Sequence, residues 1–456
     1  MHPDGVRLDN LWLAVAAGLV AFLGLAAWPL RPGGEPDCGN DPVIRVAGGR
    51  DVSVDQRQRA IIRSWRNPEA GAEQAELVEL PGVADQQHSQ LLAWARSEGC
   101  PAADVYILDT QWIPEFARGG YIAPISSEEV DTGDVLPNVL DTGRYDGGLW
   151  AVPFNTDAAL LYYRTDLVGA PPRTWEDVWR WSAAPRSSRE GDPVGGYAPQ
   201  FADYEGMTVN ALELIWAAGG DIVDRNGRVT VDRAPVRRLL RTLTGLMGDD
   251  GGVIDRRALD HFEADSIAAF QDGRVAFMRL WPYAYATLAN NERMRNADGS
   301  LKFAVTTLPG SGDGRPGRSV LGGQSLAIDV RSPRREAALS LIRHLIDEDN
   351  QRDLFNCGGF APVLRGVYRS PGRCRVGDAD GGVVHRLPDA QVPMLLRAVE
   401  TARARPRWPY YTEVSRVLSK NLRACLNGDD VCGTEEGIAA FTDDLERDLT
   451  RAMRGG

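Results

Sequence analysis

Between Pro42 and Asp109 the apolar positions switch period four times. "PVIRVAGG" (42–49) is a short β-rich run closed by Gly-Gly. "DQRQRAIIRSWRN" follows with Ile61, Ile62 and Trp65 on one helical face. "AELVELPG" returns to a strand and turn, "HSQLLAWARSEG" to a helix, and "ADVYILD" (102–109) to a continuous apolar strand ending at Asp109. The order β-α-β-α-β predicts a parallel sheet with helices on both faces. In such sheets ligands sit outside the carboxyl ends of the strands, where "DTQWIPEFARGGY" lies.

Further along, "GLWAVPFNTD" reads as polar turn residues and "AALLYYR" as a new buried strand. "TWEDVWRWSA" is a helix with a Thr cap. "GMTVNALELIWAAGGDI" reads as an amphipathic helix stopped by Gly219-Gly220, and "VDRAPVRRLLRTLTGLM" as another with Pro235 near its start. "RVAFMRLWP", "LKFAVTTLPG" and "SVLGGQSLAIDV" carry strands, and "SPRREAALSLIRHLID" a helix. Three helices fill the C-terminal part: "DAQVPMLLRAVETAR", "YYTEVSRVLSKNLRACL" and "EEGIAAFTDDLERDLTRAM".

One stretch breaks this pattern. Leu11 to Leu30 holds 20 residues without a charge, which as a helix spans about 30 Å, enough to cross a bilayer. The expectation is an uncleaved N-terminal signal anchor, followed by a linker over 31–41; a cleaved signal peptide is the alternative. The six cysteines all follow this stretch, as in an exported protein with disulfides. Cys357–Cys374 and Cys425–Cys432 would close short loops and leave Cys38 with Cys100, one connectivity among many.

The 456 residues leave room for two or three domains, and the formal net charge of -12 argues against nucleic acid as a partner. No P-loop, G-x-S-x-G or H-E-x-x-H occurs, and five His supply little for metal or His-based chemistry. We therefore expect no enzyme, cofactor or metal site.

Six segments, "ADVYILDTQWIPEFARGGYIAPI", "YDGGLWAVPFNTDAALLYYRTDL", "TWEDV", "FQDGRVAFMRLWP", "GGQSLAI" and "FNCGGFAPV", occur in the order they have in a known family. The chain from about Pro42 to its end resembles the extracellular solute-binding proteins of carbohydrate importers, the maltose- and trehalose-type receptors of ABC transporters. "ARPRWPYYTEVSRVL" is most similar to the trehalose-like branch. The resemblance implies an α/β, two-lobed periplasmic-binding-protein-like fold of type II with three hinge crossovers, near Pro153–Asp157, Leu321–Gln324 and Pro362. It places lobe one at 42–153 and 322–362, and lobe two at 154–321 and 363–456. It also implies a monomer on the extracytoplasmic face, held there by the N-terminal helix. That monomer would hand a neutral carbohydrate to permease subunits. The lipid-bearing Cys common in these receptors is missing. The rival readings are a membrane-tethered sensor or scaffold ectodomain, and the same fold holding a non-sugar solute.

Sugars are gripped by carboxylates and amides on their hydroxyls and by aromatic rings on their C–H faces. Asp109, Gln111 and Trp112 qualify by their place at a strand end; the plainer alternative is a loop cap and a core Trp. Asn155 and Asp157 lie in the expected first crossover, where a turn alone also favours them. Glu263 matches a recurring acid of the family, and Trp281 and Tyr283 are the stacking candidates, against core packing. Gly358 and Gly359 would let backbone N–H groups approach the ligand, or simply make a turn. Arg405 matches an Arg of the trehalose-like branch and would span two hydroxyls or pair with a cleft carboxylate.

Overall fold

The computed structural model describes residues 38, 42–67, 74–183, 196–224, 227–248, 252–374, 386–427 and 432–454. The apolar stretch Leu11–Leu30 lies outside them, as does nearly all of the 31–41 linker. Among the described residues no helix is long and apolar enough to cross a membrane.

The expected β-α-β-α-β start is present as β1 (Val43–Gly48), α1 (Arg57–Ser64), β2 (Gln74–Glu79), α2 (Ala84–Arg96) and β3 (Val105–Asp109). β1 pairs in parallel with β2 on one side and β3 on the other. The sheet is not parallel throughout, however. β4 (Val152–Ala158) and β9 (Leu321–Ile328) complete it in the order β2-β1-β3-β9-β4, and β9 runs antiparallel to both neighbours. Each face has its own core. Ile44, Val46, Ile107 and Leu326 pack against α1, α7 (Arg335–Leu345) and α8 (Glu348–Asn356). Ala47, Tyr106 and Leu108 pack against α2 and Phe116. Burial on both faces is why "VYILD" is apolar without alternation.

The "VPFNTD" segment is therefore a strand rather than a polar turn. Its polar residues find lateral partners: Asn155 pairs with Gln324 and Thr156 with Gly323 in the ladder with β9. A strand tolerates buried polar side chains when a neighbouring strand satisfies them.

A second sheet is built from β5 (Leu160–Arg164), β6 (Tyr197–Ala198), β7 (Phe277–Leu280) and β8 (Phe303–Thr307), in the order β8-β5-β7-β6. One face, with Leu161 and Phe277, packs on α3 (Trp175–Ala183), α4 (Glu205–Ala217), α5 (Arg233–Leu246), α10 (Tyr411–Leu426) and α11 (Glu435–Ala452). The other, with Leu160, Tyr162 and Met278, packs on α6 (Glu263–Gln271) and α9 (Val392–Thr401). Thr174 caps α3 as expected: its Oγ1 accepts from the Asp177 N–H at 3.1 Å, and an Asp177 carboxylate oxygen accepts from the Thr174 N–H at 3.2 Å.

α4 corrects the amphipathic reading, because all 13 of its residues are buried. It is covered on every side, so its Glu205 and Glu213 must find partners inside the protein. The Cys357–Cys374 and Cys425–Cys432 bridges are both formed, and no described cysteine is free.

Candidate ligand-binding cleft

Strand ends from both sheets converge on one place. β3 stops at Asp109, whose register partner in β9 is Gln324. In β4, Thr156 pairs with Gly323 on one side and bridges to Ala361 on the other. Gly323 has φ +113°, and a β-carbon there would lie 2.4 Å from the Asn155 carbonyl oxygen, so only Gly fits this close approach.

The amides around Asp109 organise it. The Gln111 side chain donates to an Asp109 carboxylate oxygen at 3.2 Å. Asn155 Nδ2 donates to Gln324 Oε1 at 3.3 Å, and the Gln324 N–H donates back to Asn155 Oδ1 at 3.2 Å. Asn155 is only 4% exposed, so its amide is used to hold Gln324 beside Asp109.

Asp157 and Trp281 flank Gly322. A β-carbon on that glycine would sit 3.2 Å from both the Asp157 Cβ and the Trp281 ring. The Trp281 ring is half-buried, and the Arg279 guanidinium lies 3.8 Å from its centroid, covering one face. Arg279 itself is pinned, donating to the two Glu213 oxygens at 2.9 and 2.8 Å. The Tyr162 hydroxyl donates to the Trp281 carbonyl at 2.9 Å and fixes the Trp-Pro turn. The ring is therefore a rigid platform with its back filled.

Glu263 opens α6 and is half-buried beside Tyr204 and Tyr283. Burial pushes the Glu263 and Asp109 carboxyls above the usual range; for Asp109 the nearby Arg405 guanidinium works against this. Burial, with the neighbouring Asp109 charge, pushes Asp157 up to about 7. Asp109 acts on both Asp157 and Glu263, and both of these act on Tyr283, so these four half-buried side chains form one coupled group. A cleft wall has that character.

The other candidates are engaged inside the fold. Arg405 is buried, donating from Nη1 to Glu205 at 2.7 Å and from Nη2 to Thr110 Oγ1 at 3.3 Å. Its Nε has no acceptor among the described residues. Trp112 is 3% exposed and packs against His88, with ring centroids 5.4 Å apart. Gly358 and Gly359 end α8: Gly359 has φ +82°, and the Gly358 carbonyl accepts from the Val54 N–H at 3.1 Å. Sequence reasoning missed Arg279, Glu213, Glu205 and Gln324. The available signal was an Arg inside the four-residue strand "FMRL" and two acids inside an otherwise apolar helix.

Among the described residues no His, Cys, Asp and Glu cluster suits a metal ion. Residues 74–372 match the family model described as bacterial extracellular solute-binding protein. The chain belongs to that family. The chain is similar to a probable ABC transporter-binding protein of Deinococcus radiodurans, 31% identical over 305 residues that cover 64% of this chain and 70% of the relative. The maltose-bound MalE3 of T. maritima has a TM-score of 0.74 and 26% identity, over 91% of this chain and 99% of that one. The GacH receptor of Streptomyces glaucescens, solved unliganded and with acarbose, has a TM-score of 0.72 and 21% identity, over 90% and 99%. These neighbours share the two-lobed α/β fold. A thiaminase-1 of Paenibacillus thiaminolyticus is 27% identical over 154 residues; the match spans about a third of each chain.

Proposed function

We propose that this solute-binding protein is the carbohydrate receptor of an ABC importer and binds a disaccharide such as trehalose or maltose without covalent chemistry. The observation that carries the reading is the Trp281 platform, backed by Arg279 and meeting Asp157 at Gly322, with Asp109 acting on the Asp157 carboxyl. It offers a ring for a C–H face and carboxyl oxygens for hydroxyls. The maltose held by MalE3 and the transporter named for the Deinococcus relative favour the same class.

In this reading lobe one is 42–153 with 322–362, and lobe two is 154–321 with 363–456. The three hinge segments are those that meet at Thr156. Closure responds to ligand through tighter binding to the closed state. In this reading the apolar stretch Leu11–Leu30 tethers the monomer outside the membrane, next to its permease.

Thermal denaturation in the presence of trehalose, maltose, sucrose and longer maltodextrins tests this. A ligand present well above its Kd raises the midpoint by several degrees, through about 2–3 kcal/mol of linkage. The reading expects that shift with one sugar of the panel. A folded protein that no sugar stabilises would overturn it.

A further inference from the structure

The second sheet ends at β8, its edge strand, and a pocket of about 590 Å³ opens beside it. The end of β8, the loop after it, the turn before α3 and the last turns of α9 supply the walls. The loop is held by backbone bonds. The Ser311 N–H donates to the Arg315 carbonyl at 3.0 Å, the Trp175 N–H to the Gly310 carbonyl at 2.9 Å, and the Gly310 N–H to the Arg173 carbonyl at 3.0 Å. β-carbons at Gly310 and Gly317 would collide with the carbonyl oxygens of Arg315 and Leu308, so the loop closes tightly on itself.

Arg173, Arg315, Arg318 and Arg397 line this pocket and, among the described residues, no Asp or Glu does, although the chain has 63 acids to 51 bases. Arg315 is paired with Asp313. The other three have no acid partner among the described residues. Acids next to the walls are committed elsewhere. Asp177 accepts from the Arg173 and Thr174 N–H groups, each at 3.2 Å, Glu176 accepts from the Gly312 N–H at 3.1 Å, and Glu400 holds Arg365 at 2.7 Å. The Thr306 and Thr307 hydroxyls, also in the lining, have no partner among the described residues. The pocket thus offers forked N–H donors, hydroxyls and positive charge, with no carboxyl to match them. Guanidinium groups around one cavity repel each other, and a multivalent anion relieves that repulsion while accepting their bonds. No aromatic ring lines the pocket, so the face on which a sugar stacks is missing. Its volume suits a small molecule. We propose that the pocket binds a small multivalent oxyanion, of the diphosphate or tricarboxylate class, gripped by Arg173, Arg318 and Arg397 apart from the sugar cleft.

The test is calorimetric titration of the full chain with pyrophosphate and, separately, with citrate, at an ionic strength of about 10 mM where screening is weak. Saturable one-to-one heat is expected with at least one of the two anions, weakening as salt is raised to about 0.15 M. The double variant Arg318→Gln, Arg397→Gln should bind that anion at least about tenfold more weakly. Both side chains are exposed, so the variant should keep its cooperative unfolding. Trp281→Ala should bind the anion as the wild type does. Heat from neither anion, or equal binding by the wild type and the double variant, would overturn the proposal. Loss of anion binding in Trp281→Ala would overturn it too, by placing the anion in the sugar cleft. So would co-sedimentation with phosphatidylserine vesicles, lost in the double variant, without heat from either free anion, because the arginines would then meet a membrane surface.

Discussion

α4 carries two glutamates in two different situations. Glu213 faces the second sheet, where it takes both donors of Arg279 and accepts from the Ser319 hydroxyl at 3.2 Å and the Val320 N–H at 3.0 Å. All of this is sealed: the two side chains are 1% and 2% exposed. Glu205, at the helix start, takes Arg405, the Tyr411 hydroxyl and the Ser415 hydroxyl. This end also reaches the first sheet. The Glu205 N–H donates to Asp85 of α2 at 3.1 Å, and Arg405 donates to Thr110 just after β3. The same Arg–Glu chemistry thus does two jobs. At one end it locks the platform under Trp281, and at the other it ties α4 and Arg405 to α2 and to the residue after β3.

The sharpest break of this contrast is Glu213→Ala. It leaves Arg279 buried without a counter-charge and should cost about 3–5 kcal/mol in urea denaturation, as breaking a buried pair does. A loss under about 1 kcal/mol would mean that water reaches Arg279 and the platform is not sealed.

Next is pH. Burial pushes Asp157 up to about 7, and burial with the neighbouring Glu205 pushes Asp85 up to about 6. Both carboxyls hold protons in the folded protein that they release when it unfolds. Ligand-free stability should therefore fall as pH rises from about 4 to about 7, by at most a few kcal/mol. Asp109 and Glu263, also raised by burial, add to the same slope. Asp157→Asn should reduce it, and a slope unchanged in the variant would contradict the placement of Asp157.

Trp281→Ala should weaken ligand binding by about 2 kcal/mol or more in calorimetric titration, as loss of an aromatic anchor does. Thr110→Val makes the smallest change. It removes one crossing hydrogen bond and should cost about 0.5–1.5 kcal/mol. If it exceeded Glu213→Ala, the roles of the two ends of α4 would be reversed.

The sequence made some of this plain because some of the information is local. The β-α-β-α-β start was legible from period alone, since each element buries a face against its chain neighbours. Asp109 and Trp281 stood out because strand ends are marked by where apolar runs stop. Arg279 and Glu213 are 66 residues apart, and Arg405 and Glu205 are 200 apart. Nothing at either position announces its partner. α4 was read as amphipathic, whereas long-range arginines hold its two acids inside. The "VPFNTD" strand was read as a turn because its register partners lie in β9, 169 residues away at Asn155 and Gln324.

The central claim is that Trp281 and its acidic neighbours bind a sugar. Titration of trehalose and maltose into the wild-type protein and into Trp281→Ala tests it most directly. The account predicts saturable one-to-one heat with at least one of the two sugars, lost in a variant that keeps its fold. Equal binding by both proteins, or heat from neither sugar in a folded wild type, would contradict it.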